Sequence, residues 1–368
     1  MGALRPAIRR WLPGDVLSNR TLHVLAVAMA GAFATASAQT VTVPASGETV
    51  PVGTAAEDAA DDPAIWRNGR NPMQSLIVAT DKKAGLYVYG MDGAVRHFVA
   101  AGRVNNVDLI DAGRHGVLVV ASDRNDTAHA KLLVLRLDTQ QATLKVLGTA
   151  DGGAGEAYGV CLWRRGSVLH AFSVLKSGAI TQVRLDLRSS GIHGTVERQF
   201  TMDSQSEGCV VDPRTQTLYV GEEARGVWAF NLNKAGTPPR RLVAAVDGQQ
   251  LIADVEGLAL APEGRRGGWL VVSSQGDNSF ALYRLPTLQP AGRFRISGGA
   301  LGSVEETDGI ALSLGSHGPG FEHGLFVAQD GVNAPAAQNF KLVPWERVLQ
   351  AAGLPPSEEG PRAGGSRN

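Results

Sequence analysis

The chain has 368 residues, of which 35 are basic and 35 acidic, so its formal net charge at neutral pH is zero. This balance argues against a nucleic-acid-binding protein, which needs a basic excess, and against an acidic disordered chain. Hydrophobic residues make up 43% of the sequence, enough for a sizeable buried core. Electrostatic features that matter for function must therefore be local.

The N-terminus is typical of an export signal. Basic residues precede an apolar run at positions 22–34, and Ala36-Ser37-Ala38 follows as a small-x-small cleavage site. The apolar run is shorter than the roughly 20 residues that span a bilayer. We expect residues 1–38 to be removed and the protein to be periplasmic or secreted, without membrane contact after cleavage. Residues 353–368 are rich in Pro, Gly, Ser and charge, which predicts a disordered tail.

A short motif recurs six times, with successive copies 44 to 52 residues apart. Each copy has a polar or acidic residue, usually a small residue next, and then apolar residues. The copies are Asp62-Pro63-Ala64-Ile65, Asn106-Val107-Asp108-Leu109, Tyr158-Gly159-Val160-Cys161, Glu207-Gly208-Cys209-Val210, Glu256-Gly257-Leu258-Ala259 and Asp308-Gly309-Ile310-Ala311.

Each repeat contains two or three further β-rich runs separated by turn residues. Six units of this length predict an all-β fold, a six-bladed β-propeller over residues 39–352. Residues 40–50 alternate like a strand, and we expect this N-terminal strand to complete the last blade and close the ring. We expect a monomer.

The repeat also predicts a site, because equivalent positions of all blades face the same mouth of a propeller. One acidic residue at a strand start is often only a turn former. Glu is a poor turn former, however, and both Glu207 and Glu256 occupy the repeated position. Several carboxylates near one axis repel one another unless a cation neutralises them. Oxygen ligands without a His or Cys cluster favour Ca²⁺.

Basic residues end several second strands of the repeats: Lys82, Lys83, Arg124 and Lys176. They are either solvated surface charges or part of the same mouth, and the sequence leaves open at which mouth a second strand ends. A mouth with both calcium and these cations would bind an anion rich in phosphate groups.

The two cysteines, Cys161 and Cys209, each lie in an apolar run. Export permits a disulfide, but a small buried residue suits these runs equally well. We favour two buried free thiols over a bridge.

In order along residues 40–352, the motifs resemble those of the β-propeller, calcium-dependent (alkaline) phytases. The motifs are Asp58-Ala59-Ala60-Asp61-Asp62-Pro63-Ala64-Ile65-Trp66, Asn105-Asn106-Val107-Asp108, Ser204-Gln205-Ser206-Glu207-Gly208, Glu222-Glu223, Asp254-Val255-Glu256-Gly257-Leu258, Ser273-Ser274-Gln275-Gly276, Thr307-Asp308-Gly309-Ile310 and Asn339-Phe340-Lys341-Leu342-Val343-Pro344-Trp345.

The resemblance implies a 3-phytase-type phosphomonoesterase that hydrolyses phytate (myo-inositol hexakisphosphate) or calcium-phytate to lower inositol phosphates through a calcium-activated water. It implies catalytic roles for Glu207, Tyr158, Asp61, Lys82, Arg124 and Lys176, and substrate binding by Lys83, Glu223, Gln275 and Asn106. It implies calcium ligation by Asp58, Asp61, Asp62, Pro63, Glu207, Asp254, Glu256 and Asp308.

The chain departs from this family in the loop after Asp330-Gly331, which is shorter and lacks an Asp-His pair, so we expect one calcium site fewer. An acidic ligand at Glu48 is also in question, because the usual Glu-Pro-Val order is changed. Two alternatives stay open: a calcium-containing propeller hydrolase of another ester class, such as a lactonase or phosphotriesterase, and a non-catalytic ligand-binding propeller. The matched cations favour a phosphorylated substrate.

Overall fold

The computed structural model describes residues 39–55, 58–188 and 191–356. The expected signal peptide, residues 1–38, and residues 357–368 of the expected tail lie outside these ranges. Within them, no helix has the length and apolar character needed to cross a membrane.

The described strands form six separate sheets of four or five strands. Two short strands come first, β1 (Thr40–Val43) and β2 (Gly47–Glu48). Blade one has β3 (Ala60–Trp66), β4 (Leu76–Asp81), β5 (Gly85–Gly90) and β6 (Val95–Ala100), and blade two has β7 (Val104–Asp111), β8 (Val117–Asp123), β9 (His129–Asp138) and β10 (Thr143–Ala154).

Blade three has β11 (Ala157–Arg165), β12 (Val168–Leu175), β13 (Ala179–Arg188) and β14 (Gly191–Thr201), and blade four has β15 (Ser206–Asp212), β16 (Thr217–Glu222), β17 (Gly226–Asn231) and β18 (Arg240–Ala245). Blade five has β19 (Val255–Glu263), β20 (Gly267–Ser274), β21 (Ser279–Leu285) and β22 (Gln289–Ile296), and blade six has β23 (Ile310–Ser313), β24 (Leu325–Asp330) and β25 (Asn339–Pro344). One α-helix, α1 (Trp345–Ala351), follows β25.

The first strands of the blades contact one another in sequence, and β23 returns to β3, so the six sheets form a closed ring. The predicted six-bladed β-propeller is confirmed. The small residues of the repeat permit this crowding of the inner strands. A Cβ atom added at Gly159 would lie 1.9 Å from the Glu207 carbonyl oxygen, and one at Gly208 would lie 2.2 Å from the Glu256 carbonyl oxygen. Only glycine fits such close approaches of two backbones.

The N-terminal segment closes the ring, as predicted, but only part of it does so. Strand β2 pairs antiparallel with β25 and so completes blade six. Strand β1 instead pairs parallel with β22 as a fifth strand of blade five. The prediction of one continuous strand over residues 40–50 is wrong at Pro44, which interrupts the pairing because proline has no amide hydrogen to donate to a ladder.

Cys161 and Cys209 form a disulfide, so the prediction of two free thiols is wrong. Cys161 lies on β11 and Cys209 on β15, and their Cα atoms are 5.7 Å apart. The two cysteines occupy nearly equivalent positions in successive repeats, where neighbouring inner strands approach each other. The disulfide therefore joins blades three and four.

The apolar core lies between the faces of adjacent blades. Between blades five and six, Phe280 and Phe326 meet edge to face with ring centroids 5.2 Å apart. Trp345 and Val348 of α1 are buried in the same cluster. This packing holds the blades rigidly, which fixes the positions of the residues at the mouths of the central channel.

Candidate functional site

The predicted carboxylates and cations meet at one mouth of the channel. Strands β3 and β4 are antiparallel, with Ala60 opposite Asp81, so the start of the inner strand and the end of the second strand lie side by side. The buried Lys82 therefore reaches three carboxylates. Its Nζ lies 2.7 Å from Asp308 Oδ2 and 3.7 Å from Asp61 Oδ1, and it also donates to Asp58. The question that the sequence left open is thus answered: second strands end at the same mouth.

A second group of carboxylates lies beside Lys82. Carboxylate oxygens of Glu207, Glu223 and Glu256 lie within 4.8 Å of one another, and all three residues are buried. Glu207 belongs to the start of β15, and Glu256 to the start of β19, as the repeat predicts. Glu223 follows the end of β16.

The protonation equilibria of this group reflect the crowding of negative charge. Burial and the charge of Asp308 raise the pKa of Glu207 to about 8. Burial and the charge of Glu207 raise the pKa of Glu256, and burial raises that of Asp61 well above its ordinary value. Without a further cation, some of these groups stay protonated near neutral pH.

Several of these oxygens have no hydrogen-bond partner among the described residues. Both carboxylate oxygens of Asp61 are buried and unpartnered, and so are Glu256 Oε2 and Glu223 Oε1. Buried polar atoms without a partner are rare in folded proteins. An all-oxygen donor set of this kind fits a hard divalent cation such as Ca²⁺.

A basic sector lies on the side of blades two and three. Arg124 donates to Asn105 and to Glu156, and its guanidinium carbon lies 5.8 Å from the centre of the Tyr158 ring. Lys176 Nζ lies 5.4 Å from the same ring centre. Arg124 and Lys176 thus flank Tyr158.

Tyr158 marks the boundary between the basic sector and the carboxylates. Burial and the nearby charge of Glu207 raise the pKa of its hydroxyl far above the ordinary value. The hydroxyl therefore stays protonated and can donate a hydrogen bond. Gln205 Nε2 lies 3.4 Å from the hydroxyl oxygen.

The remaining predicted residues lie around this centre at different depths. Gln275 Nε2 donates to Asp308 Oδ1 at 2.6 Å, and the partly exposed Lys83 lies 3.8 Å from Asp58. Asn106 is buried, and its side-chain amide lies 2.7 Å from Glu207 Oε1. When the amide nitrogen faces this oxygen, Asn106 donates a hydrogen bond to Glu207. Asp254 is exposed at the rim, near enough to Glu223 to raise its pKa together with burial.

Asp62 and Pro63 lie next to Asp61 in the chain, and burial together with the charge of Asp61 raises the pKa of Asp62. Asp62 and Pro63 line a cavity of about 550 Å³ in the channel, together with Asn106 and Asp108. The Asp62 carboxylate accepts from the Val107 amide at 3.0 Å.

Two residues for which the sequence predicted no role in catalysis, substrate binding or metal ligation contact the site directly. Asn105 Nδ2 donates to Glu207 Oε1 at 2.6 Å, and Glu156 accepts from Arg124. Each is next to or near a predicted residue in the sequence, but nothing in the sequence shows which partner it contacts. Glu222 differs from its neighbour Glu223, since its carboxylate accepts from Ser204 at 2.7 Å and from Trp228 at 2.8 Å.

Known proteins provide an independent comparison. The sequence model of the phytase family matches residues 14–359. The chain is 35% identical to a 3-phytase from Bacillus subtilis (strain 168), over 85% of this chain and 86% of that protein. Among solved structures, the WD40 repeats of RRP9 are similar in fold, with a TM-score of 0.53 and 12% identity over 83% of this chain and 99% of that one. The chain therefore belongs to the propeller-type phytase family, and it is an enzyme that acts on phytate.

Proposed function

We propose that this phytase is calcium-dependent and that it is a 3-phytase-type phosphomonoesterase acting on calcium-phytate. The observation that carries the proposal is the excess of buried carboxylates at one mouth of the ring. The carboxylates of Asp61, Glu207, Asp308 and the exposed Asp58 act on the ammonium of Lys82. The buried Glu223 and Glu256 lie beside Glu207.

The unpartnered oxygens support calcium in particular. Asp61, Glu223 and Glu256 offer free oxygen atoms and no sulfur or imidazole, which is the donor chemistry that Ca²⁺ prefers. When bound, calcium would neutralise these carboxylates and the substrate phosphates and would make a bound water more acidic. The remaining roles belong to the side chains of the chain itself.

The cations would bind and orient the phosphates. Arg124 carries a planar set of donors that fits phosphate oxygens, and it is already held in one orientation by Asn105 and Glu156. Lys176, beside the Tyr158 ring, and Lys82, among the carboxylates, supply further positive charge. The protonated hydroxyl of Tyr158 would donate to a phosphate placed between the basic sector and Glu207.

These cations also argue for phosphate over another ester class. A lactone carries no charge for Arg124 and Lys176 to neutralise, and a phosphotriester has no anionic oxygens on its phosphorus. A non-catalytic propeller would have no reason to keep unpartnered carboxylates at the mouth, since they cost stability.

The test is phosphate release from phytate, measured with calcium, after chelation, and after calcium is restored. We expect activity to disappear with chelator and to return with calcium. Full activity in excess chelator would contradict calcium dependence, and hydrolysis of lactones or phosphotriesters in preference to phytate would contradict the substrate assignment. Chromatography of the first inositol pentakisphosphate shows whether position 3 is attacked first.

We also propose that the protein is exported after cleavage behind Ala38. The disulfide between Cys161 and Cys209 supports this, because structural disulfides persist in oxidising compartments. N-terminal sequencing of the mature protein should begin at Gln39. A mature protein from the host cell fraction that begins at Met1 would contradict export.

A further inference from the structure

We propose that Asn105 is a positioning residue that holds Arg124 and Glu207 apart while fixing the orientation of both. Its side-chain oxygen accepts from Arg124, and its Nδ2 donates to Glu207 Oε1 at 2.6 Å. Asn105 thereby links the basic sector to the carboxylates. The inference rests on the proposed function, which gives Arg124 a phosphate and Glu207 a calcium ion.

The chemistry of the three groups fixes the orientation of the Asn105 amide. A guanidinium only donates hydrogen bonds, and an ionised carboxylate only accepts them. An amide is neutral and offers one acceptor oxygen and one donor nitrogen, so it satisfies both partners at once. Asn105 is fully buried and Glu207 is 3% exposed, so little water is available to replace these contacts.

The other side of Arg124 is held by Glu156, so the guanidinium lies between two anchors. The Arg124 guanidinium is therefore held beside the Tyr158 ring before a ligand binds. Partners that orient a ligand-binding group matter because a misplaced group binds weakly.

Without Asn105, Arg124 and Glu207 carry opposite charges in a buried region and lose the amide that bonds to both. A direct ion pair would consume the guanidinium donors that a phosphate needs and the carboxylate charge that a cation needs. Loss of Asn105 should therefore weaken phosphate and calcium binding together, whereas loss of Arg124 alone should weaken mainly phosphate binding.

The experiment compares the wild type with Asn105→Ala and with Asn105→Asp, which keeps the side-chain shape. Asn231→Asp is the control. Asn231 is exposed at the end of β17, and its replacement by Asp changes the charge in the same way as Asn105→Asp does. The measurements are inhibition by inorganic phosphate, calcium titration by calorimetry, kcat and KM for phytate, and the melting temperature.

We expect Asn105→Ala to weaken both phosphate inhibition and calcium binding by about tenfold or more. We expect Asn105→Asp to weaken phosphate inhibition, because its carboxylate pairs with Arg124 and adds negative charge where the phosphate binds. The control should match the wild type. Unchanged phosphate inhibition in either variant, or a change in only one of the two constants in Asn105→Ala, would overturn the inference. A lower melting temperature with both constants unchanged would show that Asn105 is only structural and would also overturn it.

If Asn105→Ala does not fold, Asn105→Asp decides, and if neither variant folds the positioning role is wrong. Failure of the proposed function looks different: the wild type itself would then bind neither calcium nor phosphate.

Discussion

Two buried clusters of charge in this propeller are balanced in opposite ways. At the closure cluster, formed by Glu48, Asp330, Asn333, Asn339 and Lys341, the buried Lys341 Nζ lies 2.5 Å from Glu48 Oε2 and 3.4 Å from Asp330 Oδ2. This cluster joins β2 to β24 and β25. At the mouth, four carboxylates share Lys82, two more lie beside Glu207, and several oxygens have no hydrogen-bond partner among the described residues.

The same residue type responds differently in the two clusters. Burial alone would raise the pKa of Glu48, but hydrogen bonds from Lys341 and Asn339 outweigh burial and lower it. Burial and the charge of Asp308 instead raise the pKa of Glu207 to about 8. The closure cluster therefore supplies Glu48 with a counterion, although burial still raises the pKa of Asp330, whereas the mouth keeps unbalanced charge that an external ligand can use.

The largest expected effect tests the mouth. Glu207→Gln should lower turnover of phytate about a hundredfold. The melting temperature of the calcium-free protein should stay the same or rise, because one repelling carboxylate is lost from a buried group. Steady-state kinetics and thermal unfolding measure both. The exposed Glu322→Gln is the control, and normal turnover of Glu207→Gln would remove this residue from the site.

The next effect tests the closure cluster. Lys341→Met removes the counterion of the buried Asp330 and of Glu48. This loss should lower the free energy of unfolding by about 3–5 kcal/mol. Urea unfolding with and without chelator measures this cost. We expect the loss to be similar in both conditions, since the closure cluster has its own cation. Adding Asp330→Asn should recover part of the stability, and no recovery would show that the loss is one of packing only.

Removal of the disulfide near the mouth should lower the free energy of unfolding by a smaller amount. The disulfide joins β11 to β15, the strands that carry Tyr158 and Glu207 at their starts. Replacing Cys161 and Cys209 together by Ser should cost about 2–4 kcal/mol. The loss should be greater after chelation, when the carboxylates at the mouth repel one another. Equal losses with and without calcium would contradict a link between this disulfide and the charge at the mouth.

The last effect, the smallest when taken per pH unit, is a slope of stability against pH in chelated protein. The native state holds a proton on Glu207 more tightly than the unfolded state does, since its pKa is raised from 4.5 to about 8. Stability should therefore fall as the pH rises through this window, by up to about 1.4 kcal/mol per pH unit for one group. Calcium favours the ionised form and should flatten the slope. Chemical denaturation across this pH range measures it, and a chelated protein that gains stability with pH would contradict the assignment.

Much of the fold could be predicted because its signals are local and repeated. The spacing of the six motifs predicted six blades, and the glycines of the repeat reflect the contact of inner strands, as at Gly159 against Glu207. The same repeat brought Glu207, Glu256 and Asp308 to one mouth. Contacts between blades carry no such signal, which is why the partner of Asn105 was missed and the disulfide was not predicted.

The sequence by itself determined the number of blades, the type of strand and the set of charged residues at the strand starts, because these follow from period, alternation and residue chemistry. Only the tertiary structure decided which charges meet. Ring closure brings Lys341 to Glu48 across nearly the whole chain, and the antiparallel pairing of β3 and β4 brings Lys82 into the mouth. The pKa of Glu48 is lowered and that of Glu207 is raised because their neighbours in space and their depths of burial differ. The residue type encodes neither of these properties.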